Sequence, residues 1–316
     1  MKILRIGTRD SELAMWQAED VLKKISALPG APPLEIIKIK SSGDLNKTVP
    51  LWATSGRGFF TVELDQALVT GKIDAAVHSL KDLATVPSEG TFLAAVLERE
   101  DPHDAIITRS GVDLQGLARG ARLGTSSLRR RAFAANVRPD LRHAELRGNV
   151  PTRLRKLDNG EYDAIILATA GLKRLGLGDR ISARLPIDIF PPAAAQGAVA
   201  ITTRTGDESV IKWMCPLEHK LTRFVVDAER SLLRCLEGGC QAPVGTLATV
   251  AGDSISIYAA VCSLDGTDLV KARTSLPLND ALKAGQCLAE DLLAKGAGRA
   301  LKEADERRKT AMHQEE

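Results

Sequence analysis

Aromatic side chains are scarce: six Phe, three Trp and two Tyr in 316 residues. Stacking platforms for nucleic-acid bases need aromatic faces at intervals, so that class of partner is disfavoured from the outset. Cysteine is sparse too. Five of them, an odd number at irregular spacing, do not make a disulfide framework and point to a reduced, cytosolic chain. MKILRIGTRD runs straight into a strand pattern with no apolar signal segment. The uncharged run 189–203 contains two prolines and a glutamine and is too short to span a bilayer, so no membrane segment is expected. The glycine–lysine loop of nucleotide-binding proteins, GxGxxG and the nucleophilic serine elbow are all missing. Cys235 and Cys240 have loose zinc-like spacing, but no second pair follows and the five histidines are dispersed, so no metal site is expected.

The composition is that of a globular protein, 44% hydrophobic and 26% charged, and the length allows two or three domains. Net charge is only +3, yet residues 119–156 carry ten arginines and Lys156 against Asp140 and Glu145, a local balance of +9. A basic run is commonly a solvated face. The near-absence of lysine fits bidentate recognition of carboxylate or phosphate better.

The first two-thirds of the chain alternates strand and helix patterns, the grammar of a mostly parallel sheet with helices on both faces. Strands are predicted at 3–7, 35–40, 74–79 and 91–98, with helices at 11–28 and 61–70. A second unit repeats the grammar with strands at 104–108, 121–124, 141–146 and 162–168 and helices from Ser127 and over 151–159. GKIDAAVHS and GEYDAIILA match, a hint of two related α/β halves. After PPAAAQGAVAIT the grammar changes. A helix over 220–236 with an apolar stripe of Leu221, Phe224, Val225, Ala228, Leu232 and Cys235 is followed by strands at 241–251, 254–263 and 268–274, a helix over 279–295 and a charged tail expected to fray. The fold class is therefore α/β plus α+β: two α/β units and a smaller C-terminal α+β unit.

Ligands of open α/β sheets bind beyond the carboxyl ends of the strands, on loops and helix N-termini. GTRDS places Arg9 and Ser11 there, after the first strand. GTSSLRRR supplies Thr125, Ser126 and Ser127 as capping hydroxyls, with Arg129 and Arg130 in the first turns. Successive helical residues diverge by about 100°, so one or two of Arg129, Arg130 and Arg131 are expected to face a ligand. LRGNVPTRLRKL adds Arg147 and Arg153 at the same edge if the strands are parallel. A well-capped surface helix is the plain alternative for GTSSLRRR alone; the segments together point to a polyanion-binding cleft. VHSLKDLATVP packs His78, Ser79, Lys81 and Asp82 into five residues. Either His78 is a satisfied histidine beside a Lys81–Asp82 surface pair, or Asp82 is the single carboxylate of the basic cleft. Positive neighbours would then hold it below its usual range as a permanent anion. In LEGGCQAPVG one glycine is a natural helix C-cap and the second is unexplained, which leaves Cys240 as either a core thiol or a displayed one.

GTRDSELAMWQA, SSGD, DAAVHSLKD, EREDPHDA, GTSSLRRR, LRGNVPTRLRKLDNGEYDAIILATAGLKRLG, AAAQGAV and LEGGCQAPVG occur in the order and spacing seen in porphobilinogen deaminases (hydroxymethylbilane synthases), and the resemblance runs from about residue 3 to 295. It implies two domains like those of type II periplasmic binding proteins and a small α+β domain bearing the cysteine. Residues 1–98 with 196–214 would form domain one, 99–195 domain two and 215–316 domain three, with a charged tail after about 300. It implies a transferase of tetrapyrrole (haem) biosynthesis, cytoplasmic and monomeric. Its substrate would be porphobilinogen, four molecules of which are joined head to tail into hydroxymethylbilane with release of ammonia at each step. The cofactor would be a dipyrromethane, one per chain, in thioether linkage to Cys240. By position, Asp82 would be the catalytic carboxylate that stabilises the azafulvenium cation left when ammonia departs. Lys81, Asp82, Thr125, Ser126, Ser127, Arg129, Arg130, Arg147 and Gly148 would hold the cofactor. Arg9, Ser11, Arg57, Arg147, Arg153, Arg174 and Gln196 would hold substrate, with loop 42–58 as a lid.

The chain departs from the family pattern at three places. It reads ATSGRG where KxGGKG is common, so Arg57 keeps one charge and Ala53 loses another; Pro87 comes later after Asp82 than usual; Ala195 stands where glycine is usual. The competing reading is a non-catalytic two-lobed anion-binding protein, which would need neither Cys240 nor Asp82. A nucleic-acid binder ranks third.

Overall fold

The computed structural model describes residues 3–41, 61–236 and 242–313. Loop 42–58, with Arg57, and Cys240 lie outside the described residues. Those described form two compact units: 3–41, 61–100 and 197–223 make the first, and 101–196, 224–236 and 242–313 the second.

In the first unit β1 (Leu4–Thr8) leads into α1 (Glu12–Ser26), β2 (Leu34–Lys38), α2 (Val62–Val69), β3 (Ala75–Ser79) and β4 (Thr91–Val96). Helix α1 starts where Ser11 accepts a hydrogen bond from the Ala14 amide, and it buries Ala14, Gln17, Ala18, Val21 and Ile25 as one stripe. The sheet is completed by β10 (Val199–Arg204) from much later in the chain, in the order β2-β1-β3-β10-β4. β10 runs antiparallel between β3 and β4, whereas β1 pairs in parallel with β2 and β3.

The second unit repeats this plan with β5 (Asp104–Thr108), β6 (Arg122–Gly124), α3 (Leu128–Val137), β7 (Arg142–Ala144), α4 (Val150–Asp158), β8 (Ala164–Ala168), α5 (Thr169–Arg174) and β9 (Ala183–Arg184). The sheet order β7-β6-β8-β5-β9 matches the first strand for strand, with β5 in the antiparallel place of β10. The matched stretches GKIDAAVHS and GEYDAIILA fill equivalent central strands, β3 and β8. Each sheet thus carries one antiparallel strand that hydrophobic patterning does not disclose, because a strand buried on both faces reads the same in either direction.

Helix α6 (Glu208–Met214) follows β10, and α7 (Lys220–Cys235) leads to the third sheet, the meander β11 (Val244–Ala251), β12 (Ser254–Cys262) and β13 (Leu269–Pro277). Within the second unit α8 (Ala281–Ala294) packs on β12 and β13. It also approaches α7 so closely that a Cβ on Gly285 would lie 2.2 Å from the Ala228 carbonyl oxygen, which only glycine permits. The apolar stripe of α7 is shorter than its pattern, since Leu221 and Cys235 are exposed while Glu229 is fully buried. The charged tail does not fray at residue 300. It forms α9 (Gly298–His313), anchored through Ala304 against Leu128 and Leu264 and laced by Lys309–Asp305 and Lys302–Glu306 pairs one turn apart. Helix α3 belongs to the core of this unit: Phe133 and Ala132 pack with Phe190, Ala260 and Cys262, so the arginine-bearing helix and the small sheet share one interior.

Among the described residues, no helix is long and apolar enough to cross a membrane.

Candidate functional site

β1 and β3 are parallel neighbours, so the loops after them leave the sheet at one edge. Arg9 and Ser11 come from the first loop, and Asp82 ends the 3-10 turn Leu80–Asp82 that follows β3. A cavity of about 80 Å³ brings Arg9, Ser11, Gln17, His78, Ser79 and Asp82 together. Among the described residues, Asp82 is the sole carboxylate on its wall. Gln17 Nε2 donates to Ser79 Oγ at 2.9 Å, which fixes the floor. His78 is buried with Nε2 3.0 Å from Thr202 Oγ1, the satisfied histidine of the plainer sequence reading. Burial first, and the Arg9 charge second, push its pKa down to about 4, so it is neutral near pH 7 and presents no charge to the cavity. Lys81 is half-buried beside Asp82 on the same turn.

In the second unit β6 and β7 are parallel neighbours, and their following loops are stitched together. Ser126 Oγ donates to the Leu146 carbonyl at 2.8 Å and accepts from the Leu146 amide at 3.0 Å. The Thr125 amide donates to the Ala144 carbonyl, and its hydroxyl accepts from the Ser127 amide. Ser127 in turn caps α3 by accepting from the Arg130 amide at 3.4 Å. These bonds set Arg147 next to Leu146 and lead to α4, capped by Asn149. Gly148, at φ +112°, accepts at its carbonyl from Arg153 Nε at 2.7 Å, so Arg153 folds back on the loop that precedes its own helix. Arg174 closes the last turn of α5, half-buried.

Arg129 and Arg130 meet on a residue that the sequence pattern did not single out. Asp104, the first residue of β5, is fully buried. Its Oδ2 lies 2.7 Å from Arg129 Nη2, and its Oδ1 accepts from Arg130 Nη2 at 2.7 Å and Nε at 3.1 Å. Gln196 Nε2 donates to the same Oδ1 at 3.0 Å and to the Pro102 carbonyl at 2.7 Å. The guanidiniums are tied further to backbone, Arg129 to the Pro191 carbonyl and Arg130 to the Ile166 carbonyl. Burial alone would raise the Asp104 carboxyl, but the two guanidiniums outweigh it and hold the group well below the usual carboxylate range. Burial, opposed by Asp104 and reinforced by Arg130, lowers Arg129. Both arginines are less than a tenth exposed, so two positive charges share one negative charge out of water. A buried charge without a counter-ion costs several kcal/mol, and within the cluster one positive charge is left over. The signal for Asp104 was its place: an aspartate opening a fully buried strand requires a cation nearby.

Gln196 follows a strained residue. Ala195 has φ +59°, the one left-handed non-glycine among the described residues, and its amide donates to the buried Glu229 Oε2 at 2.6 Å. Glu229 Oε1 accepts from the Ala248 amide at 2.8 Å, so one carboxylate fastens the turn before Gln196 to β11.

Residues 4–212 match the family model described as porphobilinogen deaminase, dipyromethane cofactor binding domain, and residues 224–294 match the porphobilinogen deaminase C-terminal domain. The chain belongs to the porphobilinogen deaminase family. It is 46% identical to the porphobilinogen deaminase of Geobacter metallireducens over 97% of this chain and 96% of that protein. Identity to the Geobacter sulfurreducens porphobilinogen deaminase is 45%, over 96% and 95% of the two chains. Among solved structures, a methionine-bound nutrient binding protein from Burkholderia cenocepacia superposes with a TM-score of 0.43 at 14% identity, covering 67% of this chain and 89% of that one. For a porphobilinogen deaminase the buried cluster makes chemical sense. A dipyrromethane bearing acetate and propionate groups fits a site of two guanidiniums and one carboxylate, because a second carboxylate brings it to neutrality.

Proposed function

We propose that the chain joins four porphobilinogen molecules head to tail into hydroxymethylbilane, on a dipyrromethane carried by Cys240. The observation that carries this reading is the buried Arg129–Arg130–Asp104 cluster with one net positive charge. In each round the C–N bond of a porphobilinogen aminomethyl group breaks and ammonia leaves. A C–C bond then forms between that methylene and a pyrrole α-carbon, which gives up its proton. The dipyrromethane supplies a tethered pyrrole α-carbon for the first round.

The roles of the protein's own residues follow from their chemistry. Arg129 and Arg130 hold cofactor carboxylate, joined by Arg147 and the Ser126 and Gly148 backbone amides from the loops after β6 and β7. Arg9, Ser11, Arg153 and Arg174 hold substrate carboxylates. Asp82 accepts hydrogen bonds from pyrrole N–H groups and stabilises the positive charge that develops as ammonia departs; fixed charge aimed at developing charge is a major source of rate enhancement. With His78 neutral, no positive imidazole offsets Asp82 in its cavity. Gln196 acts through Asp104, since its amide is committed there and to Pro102. The four described cysteines, Cys215, Cys235, Cys262 and Cys287, are free thiols, which supports the reading of a cytoplasmic enzyme. We take it to act as a monomer, with porphobilinogen as its small-molecule partner.

The test is incubation of the purified protein with porphobilinogen while ammonia and linear tetrapyrrole are followed. The proposal expects four ammonia per tetrapyrrole. Binding of porphobilinogen without ammonia release would favour the anion-binding alternative instead.

A further inference from the structure

Arg129 and Arg130 are adjacent on α3, and successive helical side chains diverge by about 100°. Both nevertheless converge on one group. Asp104 divides its oxygens between them, Oδ2 to Arg129 and Oδ1 to Arg130, and the Gln196 amide, 92 positions away, braces Oδ1. The Pro191 and Ile166 carbonyls take one further N–H from each guanidinium. Without the carboxylate, two like charges would lie side by side in a region closed to water, each held by a single backbone carbonyl.

We propose that Asp104 is a positioning residue of the carboxylate site: it sets the separation and orientation of the Arg129 and Arg130 guanidiniums and fixes the charge they offer at one. It acts through them and touches neither cofactor nor substrate. The proposal rests on the reading that these arginines hold pyrrole carboxylates. It adds that specificity for a ligand with one carboxylate at this point comes from the ratio of two guanidiniums to one buried acid. Gln196 is the second part of the same device, holding the acid rather than the ligand.

The test uses the purified full-length protein and the variants Asp104→Asn, Asp104→Glu and Gln196→Met. Circular dichroism reports folding, intact mass reports the fraction carrying dipyrromethane, and kinetics on the loaded fraction give KM and kcat separately. Asp104→Asn keeps the shape and removes the charge. It is expected to fold, to lose dipyrromethane occupancy severalfold, and to lower kcat about tenfold in the molecules that remain loaded, because a cofactor held off its place presents its reacting carbon poorly. A merely structural role would lower the folded fraction and leave kcat of the loaded fraction unchanged. Asp104→Glu, charged but longer, is expected to recover part of both losses. Should Asp104→Asn fail to fold, Gln196→Met, which removes one brace without altering charge, is expected to lower kcat of the loaded fraction about threefold, a loss typical of one hydrogen bond. Wild-type occupancy and kcat in Asp104→Asn, or wild-type kcat in Gln196→Met, overturn the proposal. A wild-type protein that carries no dipyrromethane and consumes no porphobilinogen would sink the functional reading itself, a different result from any of these.

Discussion

Two imidazoles that the fold keeps neutral make stability fall in mild acid. His78 in the first unit and His143 in the second are both pushed down to about 4, chiefly by burial and then by a neighbouring guanidinium, Arg9 for His78 and Arg131 for His143. Both ring nitrogens of His143 are buried without a hydrogen-bond partner among the described residues, so no acceptor stabilises its imidazolium. In the unfolded chain a histidine titrates near ~6.5. Between that value and about 4 the unfolded state binds protons that the folded state refuses, and stability drops by about 1.4 kcal/mol per pH unit for each imidazole. Taken from pH 7.5 to pH 5, each should cost about 2 kcal/mol. Asp65, whose carboxyl is raised by burial, works in the opposite direction, adding stability as pH falls toward the unfolded value of about 3.9. Asp74, Asp101, Asp104 and Asp207 are held below the usual carboxylate range, so their contributions are lost only at more acid pH, below about 4. His78→Gln keeps a partner for the Thr202 hydroxyl and cannot be protonated. Its first unit should therefore lose about 2 kcal/mol less than wild type over that range. Hydrogen exchange of peptides from β1 and β3, read by mass spectrometry at pH 7.5 and pH 5 with correction for intrinsic rates, follows this unit by itself. An equal loss in wild type and His78→Gln would refute the burial argument for His78.

Three further substitutions test the site and its frame. Asp82→Asn should retain dipyrromethane by intact mass yet lower kcat by at least about a hundredfold, the scale of removing one preorganised electrostatic contact; near-normal turnover would remove Asp82 from the mechanism. Arg130→Leu takes both Arg130 side-chain bonds from Asp104 and leaves a neutral Asp104–Arg129 pair with no charge over for a ligand carboxylate, so dipyrromethane content should fall severalfold; wild-type content would contradict the charge argument. Ala195→Gly relieves a left-handed conformation that costs an L-residue about 1–2 kcal/mol, offset by about 0.5–1 kcal/mol of extra chain entropy in the unfolded state. A small rise in thermal midpoint is expected, and a fall would show that the Ala195 methyl contributes packing that outweighs its strain.

Much of this was legible in residue patterns. Ser11 and Ser127 announced their helices because a hydroxyl that caps a helix is a local feature, read without knowledge of the rest of the fold. The likeness of 71–79 to 160–168 anticipated two sheets of one topology, since equivalent central strands face equivalent surroundings. Residue patterning alone does not assign β10 to the first sheet, because its partners lie more than a hundred residues earlier; only the family resemblance puts 196–214 with domain one. Helix α9 was missed for another reason. Its buried face is made of alanines, Ala300 and Ala304, which give a weak apolar signal among so many charges. The arginines of GTSSLRRR stand out in the sequence as candidates for anion binding, but Asp104 does not, since its meaning depends on donors 26 and 92 positions away. Gln196, expected at the ligand, is instead fully buried against that carboxylate. The strained turn before it had a trace in the sequence, the alanine at 195 where the family commonly has glycine.

The central claim is an arginine-held dipyrromethane covalently attached to this chain, and intact-protein mass followed by peptide mapping tests it most directly. Purified protein is expected to be heavier than its sequence by one dipyrromethane, with the whole addition on the peptide that contains Cys240. A protein of unmodified mass that converts porphobilinogen at full rate would contradict it.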